Sequence, residues 1–306
     1  MKNSNHDIKK TKPGITIVDQ LLEMDERTLA ELLIRCKKTK FLKPPKGKTE
    51  EERTENYKKI EEEFNQEVDK ILQTYKKHGL VKELMEWATG WIYDDIYDYV
   101  QDEYGLLKRA AGFYKIKPRK TETFLDLERV IFEHWMQYLI EKLRKELEKH
   151  PDKFDEIAKS LDEHLTSEEK EQLLKVLKDK GLVSKEISNL QGRALLETIL
   201  TAGSGTGVLL GLGSAGFGVY IALTKTIHLI FTQLLGITLP FAVYTTATKT
   251  LSLLLGPLGW IIFSILMVIP FIQHARKKKT ALLATVFVPT IYLAYVEKQL
   301  QKGEGA

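Results

Sequence analysis

From residue 15 to about 195, apolar side chains return every three or four positions, the spacing of amphipathic helices. No convincing run alternates as a strand does. Ile15, Val18, Leu21 and Leu22 mark a short first helix. Leu29, Leu32, Leu33 and Cys36 mark a second, with Asp25 placed to cap it. Thr49-x-x-Glu52 forms a capping box and opens a long helix whose stripe is Tyr57, Ile60, Phe64, Val68, Ile71, Leu72 and Tyr75. That helix is expected to run to about His78 and stop at Gly79. Thr123-x-x-Asp126 opens another, 124–149, with Phe124, Leu127, Val130, Ile131, Trp135, Tyr138, Leu139 and Leu147 on its apolar face. Helices are expected over 151–164 and 167–180, Ser167 capping the second and Gly181 ending it. A further one starts after Ser184 and runs through Leu195. Residues 1–14 read as a tail ending in Pro13-Gly14, and 38–48 as a basic Pro/Gly linker.

After residue 197 the pattern changes. Between Glu197 and Glu297 there is no Asp or Glu in 99 residues, where average usage puts about a dozen. Lys225, Lys249, Arg276, Lys277, Lys278 and Lys279 divide the stretch into apolar blocks at 198–224, 226–248, 250–273 and 281–296. The first three reach the roughly 20 residues that cross a bilayer as helix. The fourth is short for a span and contains Pro289.

The first block holds TAGSGTGVLLGLGSAGFG at 201–218. Gly203, Gly207, Gly211 and Ala215 recur every four residues, and on a helix they form one smooth stripe for close backbone packing. Each glycine costs about 1 kcal/mol against alanine in a water-exposed helix, so helix here requires close packing, a bilayer, or both. A flexible Gly-rich loop is the alternative, against which the interleaved Val-Leu-Leu and Phe argue. Gly211-x-Gly213-x-x-Gly216 also matches the dinucleotide fingerprint, but that motif needs a βαβ unit and an acid about 20 residues on. The surroundings are helical, and the next acid is Glu297.

Charge sharpens the division. Residues 1–197 carry 40 acids and 38 bases; the remainder carries two acids and eight bases. Such asymmetry points to a membrane or nucleic-acid partner. The bases sit between apolar blocks rather than in an exposed stripe with aromatics, so nucleic acid is not expected. Cys36 is the only cysteine, which fits a reducing compartment. The charged N-terminus has no apolar core of a cleavable signal, so residues 1–197 are expected in the cytoplasm. Basic clusters stay on the cytoplasmic side, which puts Arg276–Lys279 at the inner membrane interface. An even number of crossings then separates the two. One of the three long blocks must therefore be re-entrant, interfacial or packed on protein; 226–248, interrupted by His228 and Pro240, is the candidate.

Chemistry-bearing constellations are sparse. Asp94, Asp98 and Asp102 fall on one helical face beside Asp95, but without the turn glycine and mixed oxygen ligands of a cation loop they read as an exposed acidic face. Glu133-His134 lacks the Glu-x-x-His and His-Glu-x-x-His spacings of metal sites, so His134 reads as a satisfied or surface histidine. Cys36 lies on an apolar stripe and reads as buried. No nucleophile–base pair, cofactor motif or metal set emerges.

Gly256-Pro257-Leu258-Gly259-Trp260, then Val286-Phe287-Val288-Pro289 and Ile291, resemble the end of the uncharacterised bacterial YaaW-like family. Tyr114-Lys115-Ile116-Lys117 with Thr123-Phe124 and the Trp135 helix resembles its middle, and Asp19 through Cys36 its leucine-rich N-terminal helices. Ala284-Thr285 stands where that family usually has Tyr-Arg. Some relatives are labelled as a ubiquinol–cytochrome c chaperone family. The resemblance brings no catalytic residues and implies a bacterial protein.

Together these readings predict an all-α chain. Its parts are a flexible tail (1–14), a cytoplasmic helical domain (15–197), an apolar Gly-rich membrane-associated region (198–296) and a polar tail (297–306). The expected function is non-enzymatic, without cofactor or metal: association with the bacterial inner membrane, oligomerisation through the glycine stripe, and perturbation or permeabilisation of the bilayer. The alternative is a cytoplasmic, soluble or peripheral adaptor or chaperone for a protein partner, with the apolar helices buried as a bundle core.

Overall fold

A computed structural model describes residues 14–42, 45–118, 123–179, 181, 191–202, 226, 229, 230, 233 and 278–301. Among these, all regular structure is helical, so the all-α expectation holds. The described helices are α1 (Ile17–Glu23), α2 (Glu26–Lys37), α3 (Glu50–Thr74), α4 (Lys77–Thr89), α5 (Val100–Phe113), α6 (Phe124–Lys149), α7 (Pro151–His164), α8 (Ser167–Asp179) and α9 (Gly192–Ala202). A last run, α10, joins Lys278–Leu282, a π-helical turn Leu283–Phe287, and Val288–Gln301. Short 3₁₀ turns occupy Thr39–Leu42 and Ile96–Tyr99.

The caps show why these helices start where they do. Thr16 and Asp19 make a reciprocal capping box for α1, so Ile17 rather than Ile15 leads its buried face; Ile15 is exposed. Asp25 accepts from Thr28 N–H at 2.9 Å, as its spacing predicts. Thr123 and Asp126 form the expected box for α6, with bonds of 3.1 Å in each direction. On α3 the box is offset: Thr49 Oγ1 accepts from Glu52 N–H, but the Glu52 carboxylate reaches Lys48 N–H. For α8 the capping residue is Thr166, bonded to Glu169 N–H, and Ser167 is the first helical residue. Gly181 does end this segment, with φ of 70°.

Three expectations are corrected. α3 stops at Thr74, and Gly79 lies inside α4. A Cβ at Gly79 would come within 3.2 Å of the Tyr75 ring, so this glycine serves ring packing and not helix termination. The left-handed stop belongs to Gly90, φ 86°, whose N–H bonds Glu86 O. Asp94, Asp95, Asp98 and Asp102 do not share a helical face, because a loop and a 3₁₀ turn precede α5. Finally, the block at 281–296 is longer as helix than its apolar letters suggest. Lys278–Val296 is 19 residues, and among the described residues it is the helix long and apolar enough to cross a membrane. Pro289 does not break it: the wider π turn just before accommodates the missing N–H and the bulk of the ring.

The chain divides into two compact units. The first comprises the described residues of Met1–Lys43, Ile60–Trp135 and Ser264–Tyr295. α2 packs on α4, α1 on α4 and α5, and the π turn of α10 on α5 and α2. Most of Lys278–Val296 in α10 is buried. Phe287 meets Trp87 at 5.8 Å, Tyr292 meets Phe132 at 5.2 Å, and Tyr114 Oη donates to Ala284 O. Buried Thr285 and Thr290 satisfy their hydroxyls on the carbonyls of Ala281 and Val286. Cys36 is buried as expected, and burial pushes its thiol pKa up.

The second unit comprises the described residues of Pro44–Lys59, Met136–Phe263 and Val296–Ala306. Here α7 packs closely on α9. Gly192 makes this possible: a Cβ there would fall 1.9 Å from Ala158 O. Its N–H donates to Asp162, which also pairs with Lys170. Thr226, Leu229 and Ile230 are buried, and Gln233 Nε2 donates to Ser160 Oγ on α7 at 3.1 Å. These four positions have the spacing of one helical face. The start of the 226–248 block thus rests on protein.

Candidate functional site

Two features of the first unit stand apart from ordinary helix packing. One is a buried polar cluster beneath α1. Glu103 of α5 sits with no exposure and accepts the backbone N–H groups of Ile17 and Val18, each at 3.0 Å. It thereby supplies acceptors for the otherwise unpaired first turn of α1, where negative charge also suits the helix dipole. One turn along, Gln20 Nε2 donates to both carboxylate oxygens of Glu128 on α6, at 3.0 and 2.8 Å. Burial pushes Glu103 up to about 7, against the two backbone bonds that lower it. Burial pushes Glu128 up to about 8; the bond from Gln20 opposes this, and the charge of Glu103 adds to it. Gln20 Oε1 is buried without a hydrogen-bond partner. Chemically the cluster ties α1, α5 and α6 together and holds protons near neutrality. Among the described residues, no three His, Cys, Asp or Glu side chains come together to hold a metal ion.

The second feature is a surface loop between α4 and α5. Trp91 is 60% exposed, Ile92 79% and Tyr97 56%. The loop is nevertheless well tied. Thr89 Oγ1 accepts from Trp91 N–H, Tyr99 Oη accepts from Tyr93 N–H, and Tyr93 Oη donates to Asp102 at 2.6 Å. That last bond pushes the Tyr93 hydroxyl up to about 12. Arg109 donates to the carbonyls of Ala88 and Thr89 at the end of α4. Asp95 caps the 3₁₀ turn through Tyr97 N–H. Beside the loop, Lys279 places its Nζ 3.4 Å from where a Gly90 Cβ would lie and 5.9 Å from the Trp87 ring centre.

Of the residues singled out in the sequence, Lys278 is half-buried and Lys279 exposed at the start of α10. Arg276, Lys277, Gly203, Gly207, Gly211 and Ala215 lie outside the described residues. His134 is satisfied, its Nδ1 2.8 Å from Val130 O. Sequence reading missed Glu103 and Glu128, whose partners lie 85 to 108 residues away. It also missed the exposure of Trp91 and Ile92, because an apolar residue after a helix-ending glycine ordinarily packs back on the helix. No family model, curated protein or solved structure matches this chain.

Proposed function

We propose that the chain is a non-enzymatic, membrane-associated helical protein of the bacterial inner membrane, with its amphipathic helices on the cytoplasmic side. The reading rests above all on the 99 residues without an acid between Glu197 and Glu297. A charged side chain is costly within lipid, so the stretch has the composition of a segment that meets acyl chains. The Gly203, Gly207, Gly211 and Ala215 stripe supplies a face for self-association, and oligomers of such helices perturb or permeabilise the bilayer. The resemblance to the YaaW-like family is compatible with this and adds no chemistry.

Fractionation tests it. The protein is expected to stay in the membrane pellet through high-salt and alkaline washing. A basic patch alone would be released by salt, since exposed charges are screened beyond about 8 Å at physiological ionic strength. In the same membranes, leucine at both Gly207 and Gly211 is expected to weaken cross-linking between copies, while leucine at Gly205 and Gly213 does so less. Monodisperse protein from cytosol without detergent would reject the membrane reading. Equal cross-linking of wild type and both variants would reject the glycine contact.

A second reading is favoured by one observation. The 281–296 block is buried among the helices of the first unit. If 198–273 behaves likewise, the chain is a soluble or peripheral adaptor or chaperone with a sheathed apolar core.

A further inference from the structure

We propose that the α4–α5 loop, with Trp91 and Ile92 at its tip and Tyr97 beside them, is an interfacial anchor that enters the headgroup layer of the bilayer. The inference rests on the membrane-associated reading above and gives it an orientation.

Three observations carry it. The first is the exposure of Trp91, Ile92 and Tyr97 together, at 60%, 79% and 56%. A Trp, a Tyr and a large aliphatic on one loop are the residues that favour the boundary between water and lipid. The second is rigidity. Gly90 turns the chain in the left-handed conformation, Arg109 holds the end of α4, and Tyr93 and Tyr99 pack edge to face at 4.8 Å under the loop. The apolar tip is held outward by specific bonds, so little conformational entropy remains to be lost when it binds.

The third is position. In the sequence the basic cluster Arg276–Lys279 follows the apolar block 250–273, and Lys279 lies against Gly90 and over Trp87. The loop thus lies beside a residue that closely follows that block in the sequence. A lysine there suits anionic headgroups, and its ammonium lies over the Trp87 ring beside Gly90. Asp94, Asp95 and Asp98 are exposed beside the tip and Asp102 accepts from Tyr93 Oη, so the contact rests on the apolar and aromatic side chains of Trp91, Ile92 and Tyr97 and not on the loop's charge. A lipid surface fits this mixture of aromatic tip and flanking lysine.

The test uses the full chain with Ile92→Cys, labelled with an environment-sensitive fluorophore. Buried Cys36 stays in place and unlabelled. The control carries Gln73→Cys on the exposed side of α3. In vesicles of phosphatidylethanolamine and phosphatidylglycerol, the label at 92 is expected to shift to the blue. It should be quenched more by a nitroxide near the headgroup than by one at the end of the acyl chain. The label at 73 should keep its emission in water. Because Ile92 is exposed, the substitution leaves the fold intact, and circular dichroism checks this. A label at 92 that stays water-exposed on protein that floats with the vesicles overturns the anchor and leaves membrane association standing. Failure to float overturns both. Protection of residue 92 in native membranes but not in pure lipid assigns the loop to a protein partner and also overturns the anchor.

Discussion

Glu128 shows how much one buried side chain controls in this fold. It lies on the inner face of α6 with no exposure, between Phe124, Leu127 and Ile131, which are also buried. A carboxylate there without a cation would be costly, and its pKa is accordingly raised from 4.5 to about 8. With a turn of the Gln20 amide, a protonated Glu128 can donate its O–H to Gln20 Oε1, which has no partner in the observed arrangement, where Nε2 meets both carboxylate oxygens. The native state thus holds this proton more tightly than the unfolded chain. Its contribution to stability is full below about pH 4.5 and is lost as pH rises through about 8, by at most about 1.4 kcal/mol per pH unit. Glu103, raised to about 7, acts in the same direction over a lower window. Thermal melting of the detergent-solubilised chain is therefore expected to fall between pH 5 and pH 8.5, on the scale of about one pKa-linked kcal/mol per unit. Glu128→Gln, which keeps an amide–amide pair with Gln20, should flatten the profile. Parallel profiles for wild type and variant would refute a proton held at this site. Neither glutamate stood out in the sequence, because local spacing reports on caps and stripes. Asp25 and the Thr123–Asp126 box are legible for that reason: each partner is three residues away. A contact between Gln20 and Glu128, 108 residues apart, leaves no such local mark.

At the scale of elements, most helices were legible and several of their ends were not. Periodicity finds α2, α6 and α7 because each carries an apolar stripe wide enough to bury. It runs α3 through to His78 because the apolar stripe continues through Tyr75 while the backbone breaks at Tyr75-Lys76. Gly79 and Gly192 look alike in the sequence and differ in space, one accommodating a ring and the other a backbone. The α7–α9 crossing depends on the second. Gly192→Ala places a methyl where the nearest atom is a carbonyl oxygen of the facing helix, which cannot swing away as a side-chain tip would. The expected loss is on the order of 1–3 kcal/mol, as for overpacked sites. Gly105→Ala is the matched comparison. It lies within α5, exposed and with no atom within 4 Å of the added Cβ, so helix propensity should make it stabilising by up to about 1 kcal/mol. Calorimetry on both variants checks the contrast. If both shift stability the same way, close α7–α9 approach is not what Gly192 provides.

At the scale of the whole chain, sequence order and spatial order part company at α10. By composition 281–296 belongs with the apolar blocks before it; by packing it belongs with α2, α4 and α5, which lie far before it in the sequence. Composition cannot separate the two, since a core helix and a lipid-facing helix both exclude charge. The consequence can be tested by dividing the chain. Residues 1–202 retain every described cap from α1 to α8 and should be helical by circular dichroism. They lack Leu282, Leu283, Val286, Phe287 and Ile291, all buried, and leave Trp87 and Phe132 without their ring partners on α10. The apolar surface so uncovered should bind a hydrophobic dye, and melting should be broad and early. Joining residues 1–202 to 278–301 through a long Gly/Ser linker, with no apolar block present, should suppress dye binding and sharpen the transition. Equal melting and equal dye binding for the two chains would mean that α10 is not part of this core, and would return 281–296 to the membrane with the blocks before it.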